Sequence, residues 1–335
     1  MIIVRAPMRI SIGGGGTDLP SYSSLYGGEW TAAAINKYIY IVVNKRFDNT
    51  LRVSYSKTEE VDRPEQVQHP IVREALKLLG IDGGVEIVSI ADIPSNTGLG
   101  SSASFTVALL TALHTYLQDV KKEDFPTKTG IAEQACHIAV DLLKEPSGKQ
   151  DEYIAAHGGL TSFSVSPEGK VKVEPLYINK ISPEVMSELE HNLLMFYTGI
   201  RRESSQILKN QAKATEQGEK EMIENLHRVK EIGREIKEAL EKGNLTRFGE
   251  LLNIHWQEKI KRKGTSDPRI NGWYETAKEA GAIGGKLMGA GGGGFFLFYC
   301  ENQKEKLRKV MASQGLRETA FRFDLEGAKV VANFI

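Results

Sequence analysis

The stretch that decides the fold is Asp92-Ile-Pro-Ser-Asn-Thr-Gly-Leu-Gly-Ser-Ser-Ala-Ser104. A β-rich apolar run at 84–90 precedes it, and an apolar run with helical spacing at 102–117 follows it. Glycines allow the chain to turn sharply between two elements and to approach a ligand closely. The start of the helix offers unpaired N–H groups and a partial positive charge, which suit phosphate. The stretch therefore predicts a phosphate-binding loop, with a plain turn before a Ser-capped helix as the alternative.

Two other nucleotide-binding patterns do not fit. Gly98–Ala103 has the spacing G-x-G-x-x-A of a dinucleotide fold, but no second strand with an acidic end follows about 20 residues later. The Walker pattern also fails, because Leu287 follows Lys286 and Ala280 stands where its first glycine would be. An oxidoreductase and a P-loop enzyme are therefore disfavoured.

The N-terminal segment combines four consecutive glycines with charged residues. Residues 13–16 are all glycine, Arg9 precedes them, and Thr17-Asp18 follows them. We expect the glycines to leave open space, bounded by a donor and an acceptor of hydrogen bonds, as a polyhydroxylated ligand requires. A hairpin-like loop with a surface ion pair is the alternative.

Two later segments complete the set. Glu145-Pro-Ser-Gly-Lys-Gln-Asp-Glu-Tyr153 carries Asp151 near Lys149, after a glycine turn. A carboxylate beside a cation can stay ionised and orient the proton of a hydroxyl, although an Asp that caps the next element fits as well. Residues 284–296 contain a second run of four glycines, which predicts backbone packed against a neighbouring loop or a ligand.

In this order, the four segments resemble the pattern of the GHMP kinase superfamily. Pro94–Ala103 matches its central motif P-x-x-x-G-L-G-S-S-A at every defining position, and the resemblance covers most of the chain. It implies an α+β fold of two domains with the active site in the cleft between them. Residues 1–185 should resemble domain 2 of ribosomal protein S5, and residues 186–335 should be ferredoxin-like.

The resemblance also implies roles for individual residues. Asp151 corresponds to the catalytic aspartate, and Arg9 to the cationic position of the first motif. ATP binding is expected of Pro94, Gly98, Leu99, Gly100, Ser101, Ser102 and Ala103. Substrate binding is expected of Gly15, Gly16, Thr17, Asp18, Lys149, Gln150, Arg202, Gly291 and Gly292.

The expected cofactors are ATP and Mg²⁺, with Ser102 as one ligand of the metal. Relatives supply a second Mg²⁺ carboxylate from the helix before the catalytic aspartate. Counting back 12 positions from Asp151 reaches Ala139, which cannot serve. Asp141 and Glu133 are the available substitutes, and Asp141 is the one we carry forward.

Three of the segments resemble one branch of the superfamily in more detail. Residues 9–20, 148–151 and 284–295 look like kinases that phosphorylate the anomeric C1 hydroxyl of D-glycero-D-manno-heptose 7-phosphate or of L-fucose. Galactokinases have Glu-His where this chain has Gly15-Gly16, which argues against galactose. Bacterial fucokinase domains are often fused to a nucleotidyl-transfer domain, so a lone kinase unit favours the heptose phosphate. L-fucose and a non-catalytic sugar sensor are the alternatives.

A phosphorylated substrate requires cationic donors away from the ATP loop. Lys149, Arg202 and the cluster Lys259–Lys263 are the candidates. Residues 202–262 are charged with helical spacing, so an ordinary solvated surface is the favoured interpretation of that cluster.

Composition limits the remaining possibilities. Lys and Arg number 43, as do Asp and Glu, so the zero net charge gives no bulk attraction to nucleic acid or an anionic membrane. No apolar run reaches the ~18 residues of a membrane span. Cys136 and Cys300 are expected to be free, buried thiols. We expect a cytoplasmic enzyme that binds a sugar phosphate and ATP, without nucleic-acid or membrane partners, and a homodimer is compatible with the sequence.

Overall fold

The computed structural model describes residues 1–201 and 205–335, which form two β-sheets and the helices packed on them. The strands are β1 (Ile2–Gly13), β2 (Gly28–Lys45), β3 (Leu51–Ser54), β4 (Thr58–Val61), β5 (Val85–Ala91), β6 (Leu160–Val165), β7 (Val171–Pro175), β8 (Leu193–Tyr197), β9 (Gly284–Leu287), β10 (Phe295–Tyr299), β11 (Arg317–Glu318) and β12 (Lys329–Asn333). The helices are α1 (Pro20–Tyr26), α2 (Pro70–Leu78), α3 (Ser101–Lys121), α4 (Lys128–Cys136), α5 (Gln150–His157), α6 (Pro183–Asn192), α7 (Ser205–Glu216), α8 (Lys220–Glu241), α9 (Leu245–Ile260), α10 (Pro268–Glu279) and α11 (Lys304–Ser313).

The larger sheet is organised around the long strand β2. The path of the sheet is β12-β1-β2-β5-β3-β4, and β2 also pairs with β6, which continues to β7. The β3–β5 pair is parallel, whereas β1, β5 and β6 all lie antiparallel to β2. Helix α3 covers β1 and β2 with an almost continuous apolar face, including Val107, Leu110 and Leu113. The loop at 92–100 is thereby held at the edge of a well-packed core.

The smaller sheet has the order β11-β8-β10-β9 and an aromatic core of its own. Phe296 and Phe298 of β10 stack on each other, and Trp256 of α9 packs edge-on against Phe296. Helix α8 crosses from this half onto β1 and β2. There, a Cβ atom on Gly13 would lie 3.1 Å from the Cα atom of Gly233, so both residues must be small for the helix and strand to meet.

The predicted α+β fold is confirmed, and the residue pattern located most of its elements. After β11, the chain at 319–323 adds only an isolated bridge between Phe323 and Ile35. The sequence also gave no sign of the first half of β2. Its residues 30–35 are buried and rich in alanine, so they show neither alternation nor β-branched enrichment.

Two further features concern the chain ends and the cysteines. Strand β12, expected within the second domain, pairs with β1 in the larger sheet, while the domain boundary at residues 185–186 stays a prediction. Cys136 and Cys300 are buried and free, as expected. Across the described ranges, no helix has the length and apolar character needed to cross a bilayer.

Two glycines provide a matched test of how tightly β9 packs on α9. A Cβ atom on Gly284 would lie 2.0 Å from the carbonyl oxygen of Gly249, whereas one on Gly272, in α10, would meet nothing within 4 Å. We expect Gly284→Ala to lower the free energy of unfolding by about 1–3 kcal/mol through overpacking. Gly272→Ala should raise it by about 0.5–1 kcal/mol, because alanine favours a helix interior. Urea unfolding of both variants checks this, and equal effects would contradict the packing described.

Candidate active site

A cavity of about 550 Å³ opens between the two sheets. Its walls come from β1 and the glycine loop after it, the segment 96–106, the segment 138–152, and the α9–β9 pair. This volume is within the usual range for a small-molecule site. The four segments singled out in the sequence therefore meet around one space.

The phosphate-loop segment has the expected local geometry. Gly98 and Gly100 both adopt positive φ, at 82° and 75°, and helix α3 begins at Ser101. Ser101, Ser102 and Ala103 line the cavity, so the open N–H groups of the first helical turn lie at its wall. Backbone donors of this kind, reinforced by the helix dipole, form an anion site.

The C-terminal glycine run packs against this loop. A Cβ atom on Gly289 would lie 2.8 Å from the Cα atom of Gly98, and one on Gly294 would lie 2.2 Å from the carbonyl oxygen of Thr97. Gly289 and Ala290 line the cavity beside the loop. The prediction of backbone packed against a neighbouring loop is confirmed at these positions.

Arg9 joins the catalytic candidate to the phosphate loop. Its Nε atom donates to Oδ1 of Asp151 at 2.8 Å and its Nη2 atom donates to Oδ2, while Nη1 donates to the carbonyl oxygen of Gly98 at 2.6 Å. The Arg9 side chain is 6% exposed and that of Asp151 is 26% exposed. One planar guanidinium therefore fixes a carboxylate at the cavity wall relative to the phosphate loop.

Asp18 anchors the start of α5 rather than standing free in the cavity. Its carboxylate accepts hydrogen bonds from the N–H of Gln150 and the N–H of Gly16, both at 3.0 Å. A Cβ atom on Gly148 would fall 2.0 Å from Oδ2 of Asp18, which explains the glycine before Lys149. Burial raises the pKa of Asp18 above its ordinary value.

The first glycine run leaves less space than the sequence suggested. A Cβ atom on Gly14 would lie 2.0 Å from the carbonyl oxygen of Glu29, and one on Gly15 would lie 2.7 Å from Oγ of Ser11. Gly15 and Gly16 do line the cavity. Side chains are excluded from this run because strand β2 and Ser11 approach it closely. Part of the run also borders the cavity.

Three basic side chains, those of Lys259, Arg262 and Lys286, line the cavity. Lys259 and Lys286 are 6% and 2% exposed, and the Nη2 atom of Arg262 is buried. Lys259 donates to the carbonyl oxygens of Leu287 and Gly289 at 2.6 Å. Among the described residues, neither lysine nor Arg262 has a carboxylate within salt-bridge distance. Positive charge is thus concentrated in a buried wall without a negative partner.

The environment of these bases changes their protonation. Burial, together with the charges of Arg262 and Arg9, lowers the pKa of Lys286 to about 7. Burial and the neighbouring cations hold the pKa of Lys259 well below its ordinary value, and burial lowers that of Arg262 to about 10. His255, fully enclosed beside Lys286, has a lowered pKa for the same reasons. An anion that entered the cavity would relieve this repulsion.

The structure brings together most of the predicted residues but not all of them. Those that line the cavity are Arg9, Gly15, Gly16, Asp18, Gly98, Gly100, Ser101, Ser102, Ala103, Gln150 and Asp151. Leu99 is buried and accepts from the N–H of Arg9, and Pro94 accepts from Thr97, so both support the loop from behind. The hydroxyl of Thr17 contacts two carbonyl oxygens, that of Gly14 in the glycine loop and that of Glu29 in β2.

Other predicted ligands lie elsewhere. The ammonium of Lys149 is 2.7 Å from both carboxylate oxygens of Glu133, away from the cavity wall. Asp141 is 61% exposed and pairs with His137. Gly291 packs closely against Thr265, and the N–H of Gly292 donates to the carbonyl oxygen of Thr265. These contacts leave the four residues outside the cavity, and Arg202 lies outside the described residues.

Sequence reasoning missed several residues of the site. Lys259 and Arg262 were interpreted as solvated surface charge, and Lys286 was considered only for the Walker pattern. Glu152, next to Asp151, is 3% exposed and lines the cavity. Burial and the charge of Asp151 raise its pKa to about 8. In residues 1–201 and 205–335, no three His, Cys, Asp or Glu side chains converge to hold a metal by themselves.

Comparison with known proteins gives one family for both halves. Residues 69–159 match the family model described as GHMP kinases N terminal domain, and residues 236–315 match GHMP kinases C terminal. The chain is 28% identical to D-glycero-alpha-D-manno-heptose 7-phosphate kinase of Campylobacter jejuni, with 98% of each chain covered. It is 25% identical to L-fucokinase/L-fucose-1-P guanylyltransferase of Bacteroides fragilis, covering 92% of this chain and 35% of that longer protein.

Solved structures show the same architecture. A crystal structure described as D-glycero-D-manno-heptose 1-phosphate kinase from Bacteroides thetaiotaomicron has a TM-score of 0.80 and 23% identity, with 100% of each chain covered. At that identity the likeness concerns the fold. The predicted resemblance and the two-domain fold are confirmed by these matches.

The buried position of Lys286 leads to a prediction about the stability of the folded chain. The pKa of Lys286 is about 7 in the folded chain, against ~10.4 for an unfolded lysine. The folded state therefore disfavours the proton, and the resulting loss of stability is full below pH 7 and shrinks as the pH rises toward 10. We expect Lys286→Met to be more stable than wild type by about 1–4 kcal/mol at pH 6.5, with a smaller gain at pH 9.

Urea unfolding at the two pH values measures this difference. Lys263→Met, which removes an exposed charge just after α9, is the control and should change stability by less than about 0.5 kcal/mol. A Lys286→Met variant that is less stable than wild type at pH 6.5 would contradict the description of an uncompensated buried cation.

Proposed function

This chain belongs to the GHMP kinase family, and we propose that it transfers the γ-phosphoryl group of ATP to the anomeric C1 hydroxyl of D-glycero-D-manno-heptose 7-phosphate. Kinases of this family are ATP-dependent phosphotransferases, and a sugar kinase role is supported by the relatives that the chain matches. The observation that carries the finer proposal is the buried group of Lys259, Arg262 and Lys286, because a neutral sugar would leave it uncompensated.

The phosphate loop supplies the site for the nucleotide. Gly98 and Gly100 let the backbone approach the phosphates, and the first turn of α3 presents N–H groups to them. The close packing of Gly289 on Gly98 restricts the loop to one conformation. Phosphoryl transfer depends mainly on positioning and charge stabilisation, so a rigid loop is the required feature.

Asp151 and Arg9 are suited to the acceptor side of the reaction. The Asp151 carboxylate faces the cavity next to the phosphate loop, where it would accept a hydrogen bond from the attacking hydroxyl. Arg9 holds that carboxylate by a bidentate pair and places positive charge where the transferred group would pass. Gln150 adds a further link, since its side chain contacts both Ser11 and Asp151.

Lys259, Arg262 and Lys286 together form what we call the cationic wall. This wall is suited to bind the phosphate group that the sugar already carries. Arg262 lies beside Gly16, at 3.1 Å from the position of a Cβ atom there, and donates to Oε1 of Gln211. Gly16 belongs to the loop expected to contact the sugar. An anionic group bound by Arg262 would therefore sit at the sugar side of the cavity rather than at the first turn of α3.

The comparisons favour a heptose phosphate over L-fucose. The Campylobacter jejuni relative named for heptose 7-phosphate is 28% identical to this chain, whereas the fucokinase relative is 25% identical. L-fucose carries no anionic group that could meet the three cations. Magnesium supplies charge neutralisation of the phosphates when bound, and the hydroxyl of Ser102 at the cavity wall is suited to hold it.

The first test concerns Asp151. Because Asn keeps the shape but accepts no proton, Asp151→Asn should lower kcat by ~10²–10⁴. ATP affinity and the free energy of unfolding should change little. Asp62→Asn, at an exposed position remote from the cavity, is the matched control. Wild-type turnover in the Asp151 variant would remove it from the chemistry.

The second test concerns the substrate. We expect kcat/KM for heptose 7-phosphate to exceed that for unphosphorylated heptose, heptose 1-phosphate and L-fucose. Arg262→Gln should lower the ratio of kcat/KM for heptose 7-phosphate to that for unphosphorylated heptose by ~30–1000-fold. The reason is that the substitution removes a charged partner of the phosphate, worth about 2–4 kcal/mol. Lys263→Gln, an exposed neighbour, should leave the preference unchanged.

Two outcomes would refute the substrate proposal while the kinase assignment stood. One is an equal kcat/KM for L-fucose and heptose 7-phosphate in the wild type. The other is an Arg262→Gln variant that retains the full preference for the phosphorylated sugar.

A further inference from the structure

Glu152 lies in the wall of the active-site cavity, and no contact in the structure accounts for it. It is the third residue of helix α5, directly after Asp151, and is 3% exposed. Its Oε2 atom is fully buried and has no hydrogen-bond partner within residues 1–201 and 205–335. A buried carboxylate oxygen without a partner is costly, so native chains keep one where a ligand completes it.

We propose that the carboxylate of Glu152, together with the hydroxyl of Ser102, holds the divalent cation that accompanies ATP. The proposal rests on the nucleotide-binding part of the proposed function and is independent of which sugar is phosphorylated. Both residues line the same cavity. Carboxylate and hydroxyl oxygens suit Mg²⁺, which usually takes one or two protein carboxylates and completes its shell with phosphates and water.

The position of Glu152 relative to the preceding helix supports this role. Ala139, where a metal carboxylate was expected from the resemblance, lines the cavity but carries only a methyl group. Glu152 is close enough to Cys136 for its charge to raise the pKa of that thiol. Cys136 ends α4, and Ala139 follows in the next turn of the chain. Glu152 therefore lies near the turn that carries Ala139, whose methyl group supplies no oxygen ligand.

The other carboxylates near this region are less suitable. Glu133 is bound to the ammonium of Lys149 and to the hydroxyl of Tyr153. Asp141 is exposed and paired with His137. Asp151 is occupied by the guanidinium of Arg9. Asp18 is buried as well, but both of its carboxylate oxygens accept backbone hydrogen bonds. Among the described acidic residues of the cavity wall, Glu152 thus combines burial with an oxygen that accepts no hydrogen bond.

The local charge points the same way. The carboxylates of Asp151, Asp18 and Glu145 all act on Glu152. Arg9 neutralises only the first of them by direct contact. A divalent cation on Glu152 would offset the remaining repulsion among these carboxylates.

The test uses Mn²⁺ as a spectroscopic probe and a non-hydrolysable ATP analogue. Free Mn²⁺ is measured by electron paramagnetic resonance while the full-length protein, saturated with analogue, is titrated. We expect Glu152→Gln to weaken Mn²⁺ binding by ~10–100-fold, the scale for disturbed metal sites. Analogue affinity in EDTA should stay within about twofold. Glu145→Gln, at an exposed position of the same wall, is the matched control and should bind Mn²⁺ as wild type does.

A second variant tests the position rather than the residue. Ala139→Glu in the Glu152→Gln background returns a carboxylate to the same region from the neighbouring helix, and it should restore much of the Mn²⁺ affinity.

Three results would overturn the proposal. They are unchanged Mn²⁺ affinity in Glu152→Gln, a loss of Mn²⁺ affinity in Glu145→Gln instead, and an equal loss of analogue affinity in EDTA, which would assign Glu152 a structural role. Failure of the wild type to bind the nucleotide analogue at all would instead refute the proposed function.

Discussion

The buried guanidinium of Arg9 is the contact on which the arrangement of the site depends. It joins strand β1, where it originates, to the carboxylate of Asp151 at the start of α5 and to the carbonyl of Gly98 in the phosphate loop. Only a planar group with several donors can satisfy a carboxylate and a carbonyl at once. The position of Asp151 relative to the loop before α3 is thereby fixed by one side chain.

The remaining parts of the site are held by close backbone packing. Asp18 binds the N-terminus of α5, and the loop that carries Asp18 is fixed by Thr17. On the other side, Gly289 and Gly294 lie directly on the phosphate loop. Two glycine runs almost 300 residues apart in sequence thus serve one purpose, because each allows a loop to approach its neighbour without intervening side chains.

The cavity holds buried ionisable groups of both kinds that lack partners of opposite charge. Lys259 and Lys286 are buried without carboxylate partners among the described residues, and Glu152 is buried without a cation. Such groups reduce the stability of the free protein and are expected where ligands complete them. A sugar phosphate beside the two lysines and a divalent cation beside Glu152 would each remove one of these penalties.

The sequence predicted the parts of the site that depend on local chemistry. The loop before α3, and Asp151 and Arg9 as residues of the same site, were found from residue type and spacing, together with the family resemblance. Lys149 and Asp141 do not line the cavity, because they pair with Glu133 and His137. The sequence does not reveal these partners. The suggested homodimer stays a prediction.

The cationic wall could not be predicted from the spacing of residues in the sequence. Lys259 falls among charged residues of an amphipathic helix, where solvent exposure is the usual outcome. It is buried only because α9 packs against β9, whose Lys286 approaches from a strand 27 positions later. A contact that depends on how a helix lies on a distant strand has no signature in the spacing of either segment.

The central claim is that one cavity binds a sugar phosphate between the Arg9–Asp151 pair and the wall of Lys259, Arg262 and Lys286. A crystal structure with heptose 7-phosphate and a non-hydrolysable ATP analogue tests it most directly. The account predicts that the phosphate of the sugar accepts hydrogen bonds from this wall while the anomeric hydroxyl faces Asp151. A sugar phosphate that points to solvent, with the three cations contacting nothing, would contradict it.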